Sequence, residues 1–183
     1  SWADTASVLL AEAPRFPELR VINIGGGLGV PDSHEKPELD LAEIDKALAP
    51  VRATRPDISV WMEPGRYLVA AAGVLLAQVT QTKAKDEVRY VGIATGMNSL
   101  IRPALYGAWH DIFNLTRLAD EASEVVNVVG PICESGDFLG HDRLLPPTQE
   151  KDVLLIANAG AYGRAMSSNY NLRSPAVEIL LQD

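Results

Sequence analysis

Two short apolar runs in this chain end in loops of opposite chemical character. Val21 to Ile24 runs straight into Gly25-Gly26-Gly27-Leu28-Gly29, and Ile58 to Met62 runs into Glu63-Pro64-Gly65-Arg66. Between them, Leu39 to Ala53 carries apolar residues at helical spacing, with Leu41, Ile44, Leu48 and Val51 on one face. Strand, helix, strand in that order is a parallel βα unit, because parallel neighbours need a crossover long enough to hold a helix. The first strand ends in backbone that no Cβ obstructs, which suits an anion. The second ends in a carboxylate and a guanidinium. Delivered side by side, such ends form the mouth of a barrel, where phosphate binding and chemistry meet.

The flanking segments differ in kind. Residues 3 to 13 have helical spacing, and Pro14 and Pro17 end that helix. Tyr67 to Ala72 begins as helix. Strand-like runs then follow at Val74 to Val79, Val88 to Ile93, Val125 to Val129, Val153 to Ala157 and Ala176 to Leu181. Turn residues separate them: Gly96, Gly107, Gly130-Pro131, Pro146-Pro147 and Asn158 to Gly160. Spaced strands without long helices between them predict an antiparallel β domain. The fold class expected is therefore α/β plus β, with residues 1–72 in an α/β unit, residues 73–183 in a β domain, and the boundary near Gly73.

Composition narrows the function classes. A chain of 183 residues that is 47% hydrophobic and 22% charged can bury a real core. A net charge of −8 argues against nucleic acid, whose phosphates want a basic footprint. Its one cysteine, Cys133, leaves no intramolecular disulfide and fits a reducing, cytoplasmic setting. The longest apolar run, Leu68 to Ala77, falls short of the roughly 20 residues that a bilayer needs, so no membrane is expected. Ser1-Trp2-Ala3-Asp4 is not a signal peptide, and the absence of an initiator Met suggests a piece of a longer chain.

Each candidate motif has a plain reading beside a chemical one. Gly25 to Gly29 is either a phosphate cradle or a tight turn; Val30 and Pro31 spoil the dinucleotide fingerprint, and no Gly-Lys-Ser/Thr follows. Glu63 is either a solvated acid favoured at a helix start or the carboxylate that keeps a pyridine nitrogen protonated. Arg66 beside it suits a phosphate or carboxylate bound bidentately. Cys133 is either a small buried hydrophobe or, in the polar stretch Cys133-Glu134-Ser135-Gly136-Asp137, an exposed reactive thiol that hands a proton to a carbanion. Glu134 next to it suits an ammonium. Arg102-Pro103-Ala104-Leu105-Tyr106 and Asn158-Ala159-Gly160-Ala161-Tyr162-Gly163 each place a phenol among small or rigid residues. His34, His110 and His141 lack metal-ligand spacing and read as surface or satisfied loop residues, so no metal is expected. Lys83 and Lys85 read as a solvated edge.

Together, and in this order, these motifs resemble the alanine-racemase-like family of pyridoxal-phosphate decarboxylases, from about Val21 to the C-terminus. Glu134 after the cysteine, the stretch Met166-Ser167-Ser168-Asn169-Tyr170-Asn171, and Arg173 resemble the diaminopimelate branch; ornithine decarboxylases usually carry Asp after the reactive Cys. Loop sequences also resemble bacterial members fused behind an aspartate kinase. The resemblance implies a TIM-like barrel, here represented by its last βα units, followed by a β domain. Its cofactor would be pyridoxal 5'-phosphate, with the phosphate on backbone at Gly27 and Gly65-Arg66 and on the Tyr162 hydroxyl, and Glu63 on the ring nitrogen. Arg66, Arg102, Tyr106 and Tyr162 would bind the substrate, the first three at the carboxylate that is retained. Cys133 would donate the proton and Glu134 would recognise the distal ammonium, both reaching into the partner's site of a homodimer. The activity implied is decarboxylation of meso-2,6-diaminopimelate to L-lysine.

One departure stands out. The family's Schiff-base lysine and cofactor-stacking histidine lie upstream of everything in this chain, and no lysine here matches. The chain is thus expected to be a C-terminal fragment, inactive by itself. The alternatives are a non-catalytic homologue that regulates an active dimer partner, and a decarboxylase of D-ornithine, D-lysine or carboxynorspermidine.

Overall fold

The computed structural model describes residues 1–182. They divide into two compact units: residues 1–31 with 37–67, and residues 32–36 with 68 onward.

In the first unit, helix α1 (Trp2–Glu12) starts at a reciprocal cap. The Ser1 hydroxyl accepts from the Asp4 amide, and the Asp4 carboxylate reaches back to the chain start. Ala13–Arg15 then tighten into a 3-10 turn containing Pro14. Strand β1 (Val21–Asn23) pairs in parallel with β2 (Ser59–Trp61), in the register Val21 to Ser59 and Asn23 to Trp61. The crossover is α2 (Leu41–Thr54), capped by the Asp40 carboxylate on the Ala42 and Glu43 amides. Leu48 is buried, and Ile44 and Val51 pack beside it against Ala6, Ile22 and Ile58. Leu41 departs from the expected apolar face. It is 49% exposed, because it occupies the first turn, whose direction the cap sets.

The second unit is built on one six-stranded sheet, with strands β3 (Leu75–Lys85), β4 (Val88–Ile93), β5 (Ile112–Asn114), β6 (Glu124–Val129), β7 (Phe138–Leu145) and β8 (Val153–Ile156). Their order across the sheet is β5-β8-β3-β4-β6-β7. The edge strands β5 and β7 lie against each other without pairing, so the sheet curls into a nearly closed barrel with few helices. Inward positions fill it: Leu75, Ala77 and Val79 on β3, Val91 and Ile93 on β4, Val126 and Val128 on β6, Leu139 and Leu145 on β7, and Leu154 and Ile156 on β8. Alternation stops halfway along β3, where Lys83 and Lys85 sit in the exposed stretch.

Two expectations need correction here. The sheet is not wholly antiparallel, since β4 and β6 run parallel, with Arg89 opposite Val126 and Gly92 opposite Val129. Strands β5 and β7 add to the runs expected from the sequence. Ala176 to Leu181, read as a strand, forms no regular structure, and Val177, Ile179, Leu180 and Leu181 are exposed. Among the described residues, no strand pairs with this apolar run. Among the described residues, no helix is long and apolar enough to cross a membrane.

Candidate functional site

The first unit carries the glycine loop and the Glu63 loop as neighbours. Pairing continues past the strand ends: the Ile24 amide donates to the Trp61 carbonyl at 3.0 Å, and the Glu63 amide to the Gly25 carbonyl at 2.9 Å. Gly25 and Gly27 have φ of 79° and 91°, values that a side chain disfavours. Gly26 is required for another reason: a Cβ there would meet the Glu63 carbonyl oxygen at 2.4 Å. The Trp2 indole N–H holds the Gly26 carbonyl from behind at 2.9 Å. Around Gly27 the space that a Cβ would enter is open, so its backbone can be approached closely.

Glu63 is oriented by a residue that the sequence did not single out. Asn23 donates its side-chain amide to Glu63 Oε1 at 2.6 Å, and its Oδ1 accepts from the Gly25 amide at 2.9 Å. Among the described residues nothing else bonds the Glu63 carboxylate, which leaves Oε2 for a ligand N–H. Gly65 and Arg66 open the short helix α3 (Gly65–Val69). The Gly65 amide already donates to the Glu63 carbonyl at 2.9 Å. Arg66 makes no ion pair among the described residues.

The second unit gathers most of the remaining candidates. Helix α4 (Arg102–Tyr106) begins at Arg102 and stops at Gly107, which takes the left-handed turn that favours glycine. The Arg102 guanidinium faces two phenol rings, 5.9 Å from the Tyr106 centroid and 5.6 Å from that of Tyr162. Such placement attracts a cation to both ring faces and holds the fork in one orientation. Tyr162 itself has φ of 63°. The turn just upstream is closely packed. A Cβ at Gly160 would strike the Val69 carbonyl oxygen at 2.0 Å, and the Gly160 amide donates to the Ala70 carbonyl at 3.0 Å.

Cys133 and Glu134 are both exposed, on a loop organised from beneath by Asp137. The Asp137 carboxylate is buried and accepts from the Met97 amide at 2.6 Å and the Ile132 amide at 2.7 Å. Gly96 and Gly130 pack directly on it, since a Cβ at either would fall within 2.4 Å of its oxygens. Glu134 accepts a hydrogen bond from the Tyr170 hydroxyl, which pushes the phenol pKa above its ordinary value. A thiol beside a carboxylate on an exposed loop can deliver a proton to one face of a bound molecule and attract an ammonium to it. An arginine framed by phenols can take a carboxylate or phosphate.

The histidines divide differently from the expectation. His141 stacks on Phe138, and His34 bonds the Asp111 carboxylate at 2.9 Å. His110, however, is buried, and burial lowers its pKa. Its Nδ1 meets the Ala157 carbonyl at 2.8 Å, while Nε2 finds no partner among the described residues. Also among the described residues, no group of His, Cys, Asp and Glu side chains gathers to hold a metal.

Comparison with known proteins gives these loops a context. Residues 29–160 match the family model "Pyridoxal-dependent decarboxylase, C-terminal sheet domain". Diaminopimelate decarboxylase of Pseudomonas fluorescens is 46% identical over 184 aligned positions, covering 98% of this chain and 43% of that protein. The crystal structure of diaminopimelate decarboxylase from Helicobacter pylori complexed with L-lysine superposes with a TM-score of 0.81 at 32% identity, covering 93% of this chain and 41% of that one. The SrLDC structure in complex with PLP and cadaverine reaches 0.80 at 26% identity, covering 96% and 48%. The chain spans about two-fifths of the length of the curated relatives it matches. It belongs to the diaminopimelate decarboxylase family of pyridoxal-dependent decarboxylases and carries the C-terminal sheet domain portion.

Proposed function

We propose that this chain is the C-terminal part of an enzyme that decarboxylates meso-2,6-diaminopimelate to L-lysine and CO2 with pyridoxal phosphate. Residues 1–72 supply the last βα portion of the cofactor-binding barrel, and the β domain runs from residue 73 onward. The observation that carries this reading is the similarity to diaminopimelate decarboxylase along 98% of the chain. The motif residues are present, with Glu63, Tyr106, Cys133, Glu134 and Tyr162 exposed and Arg66 and Arg102 half-buried.

The residues fit the cofactor. Glu63, with Oε1 held by Asn23 and Oε2 free, suits a protonated ring nitrogen. Open backbone at Gly27 and the amide of Arg66 suit a phosphate, joined by the Tyr162 hydroxyl. The Gly65 amide serves only after leaving the Glu63 carbonyl. When bound, the cofactor supplies an electron sink for the pair left by the departing CO2.

Around it the protein binds and moves a proton. Arg66, Arg102 and Tyr106 hold the retained carboxylate, bidentately where the guanidinium fork allows. The Cys133 thiol delivers a proton to the carbon that lost CO2, and the Glu134 carboxylate takes the distal ammonium. Both serve the partner's site in a homodimer, as the family resemblance implies.

The test is a substrate panel on the full-length protein containing this segment, with released CO2 as the readout. Preferential turnover of meso-diaminopimelate is expected. Preference for D-ornithine, D-lysine or carboxynorspermidine would move the substrate assignment, and no turnover of any would favour a non-catalytic dimer partner.

A further inference from the structure

The Tyr170–Glu134 pair lies on the surface, yet the backbone beneath each residue is anchored in one buried turn. Residues 96–99 form that turn. On one side the Met97 amide binds the Asp137 carboxylate, which also holds the Ile132 amide and so fixes the loop that presents Cys133 and Glu134. On the other side Asn98, only 2% exposed, donates its side-chain amide to the Arg173 and Ser174 carbonyls. The Ser168 amide returns a bond to the Asn98 carbonyl at 2.9 Å, and the Ala176 amide donates to the Ser99 hydroxyl at 2.9 Å. Residues 168–176 are therefore pinned at both ends to the turn that also anchors the Glu134 loop. Between the pins the chain bends sharply, with Asn171 and Leu172 at φ of 54° and 57°. That bend brings the Tyr170 hydroxyl onto Glu134 Oε1.

We infer that Tyr170 is a positioning residue for Glu134, holding its carboxylate so that the free Oε2 faces the distal ammonium of a diamino acid. This rests on the ammonium role proposed for Glu134. An exposed glutamate on its own samples several rotamers and loses that freedom on binding a ligand. A phenol that has already fixed one oxygen removes part of this cost and leaves the other oxygen for the ligand. Among the described residues the Tyr170 side chain hydrogen-bonds Glu134 alone, so it sets selectivity for the distal charge through that carboxylate.

Steady-state kinetics of the full-length enzyme with Tyr170→Phe, Glu134→Gln and the double variant test this. Losing one hydrogen bond to a charged group predicts that Tyr170→Phe raises KM for the diamino acid about tenfold, with a much smaller change in kcat. The double variant should be no worse than Glu134→Gln alone, because the phenol acts through the carboxylate. Product binding gives a second readout. Tyr170→Phe should weaken L-lysine, while norleucine, which lacks the distal ammonium, binds as before. If Glu134→Gln raises KM and Tyr170→Phe does not, or if their effects add, the inference fails and the Glu134 reading survives. An unchanged KM in Glu134→Gln would remove both. Equal weakening of lysine and norleucine would reduce Tyr170 to a structural role and overturn the inference.

Discussion

Asn23 donates its side-chain amide to the Glu63 carboxylate at 2.6 Å across forty positions of sequence, and it binds the Gly25 amide with its other end. One side chain thus ties the glycine loop to the acidic loop. The pair sits where β1 and β2 release the chain, so strand register decides that these two loops meet.

Asn23→Ala should therefore act through Glu63. A hydrogen bond to a charged group is worth about 1.5 to 3 kcal/mol, and exposure at Asn23 puts the effect at the low end. In the full-length enzyme kcat should fall about tenfold and cofactor affinity should weaken, while circular dichroism stays unchanged. Titration of pyridoxal phosphate by absorbance, alongside kcat, checks this. Equal cofactor affinity and equal rate would show that Glu63 needs no such anchor.

Gly160→Ala should be among the most damaging single changes in the β domain. Its Cβ would sit 2.0 Å from the Val69 carbonyl and 2.8 Å from the Gly73 amide nitrogen, both backbone atoms that cannot swing aside. Overpacking of this kind costs about 1 to 3 kcal/mol or more, visible as a lowered Tm. Gly163→Ala, at 2.4 Å from the Ala159 carbonyl oxygen, should follow in rank. Thermal unfolding of both variants provides the comparison, and an unchanged Tm for Gly160→Ala would contradict the packing described.

Cys133→Ala in the full-length enzyme should slow turnover about 10²- to 10⁴-fold, the usual contribution of a positioned proton donor. Cofactor absorbance should persist, since Cys133 is exposed and is not among the residues assigned to the phosphate and ring. A rate close to that of the parent would dismiss the thiol as the donor.

Asp152 predicts an acid-labile contribution to stability. Burial alone would raise its pKa, but bonds from Asn114, the Gln149 amide and Arg117 outweigh burial and hold it below the ordinary carboxylate value. The folded state therefore binds this proton less readily than the unfolded chain. The contribution is complete above about pH 4, the unfolded value, and is lost as pH falls through the lower folded one. Asp152→Asn should lower stability by about 2 kcal/mol at neutral pH. Denaturant titrations across the pH range should show the gap to the parent closing in acid; a gap independent of pH would contradict the assignment.

Much of this arrangement was legible in the sequence where periodicity and punctuation agreed. The αβ front read well because Val21 to Ile24 and Ile58 to Met62 are mostly apolar runs followed closely by glycine or Pro-Gly, with a helix of clear apolar spacing between. The β domain read less well. In β7, Gly140, His141 and Asp142 interrupt the apolar pattern, and Asp142 takes φ of 49° at an irregularity in the pairing with β6. Strand β5 offers three residues only, too short for alternation to show. The tail at Ala176 to Leu181 has the pattern of a strand without a partner, and pattern alone does not supply one. Asn23 and Asn98, and the bond that Tyr170 makes, were hidden for a related reason: each matters through a bond to a residue distant in sequence, and a single polar side chain in a loop carries no periodic signal.

In the proposed enzyme the Glu63, Arg102, Cys133 and Tyr162 loops serve one cofactor and the amino acid bound to it. A crystal structure of the full-length protein with pyridoxal phosphate and L-lysine measures this directly. It should place the Glu63 carboxylate on the ring nitrogen, Tyr162 on the phosphate and Arg102 on the lysine carboxylate, with Cys133 and Glu134 of one protomer reaching the same ligand in its partner's site. Glu63 and Tyr162 on separate surfaces, with no ligand common to both, would contradict it.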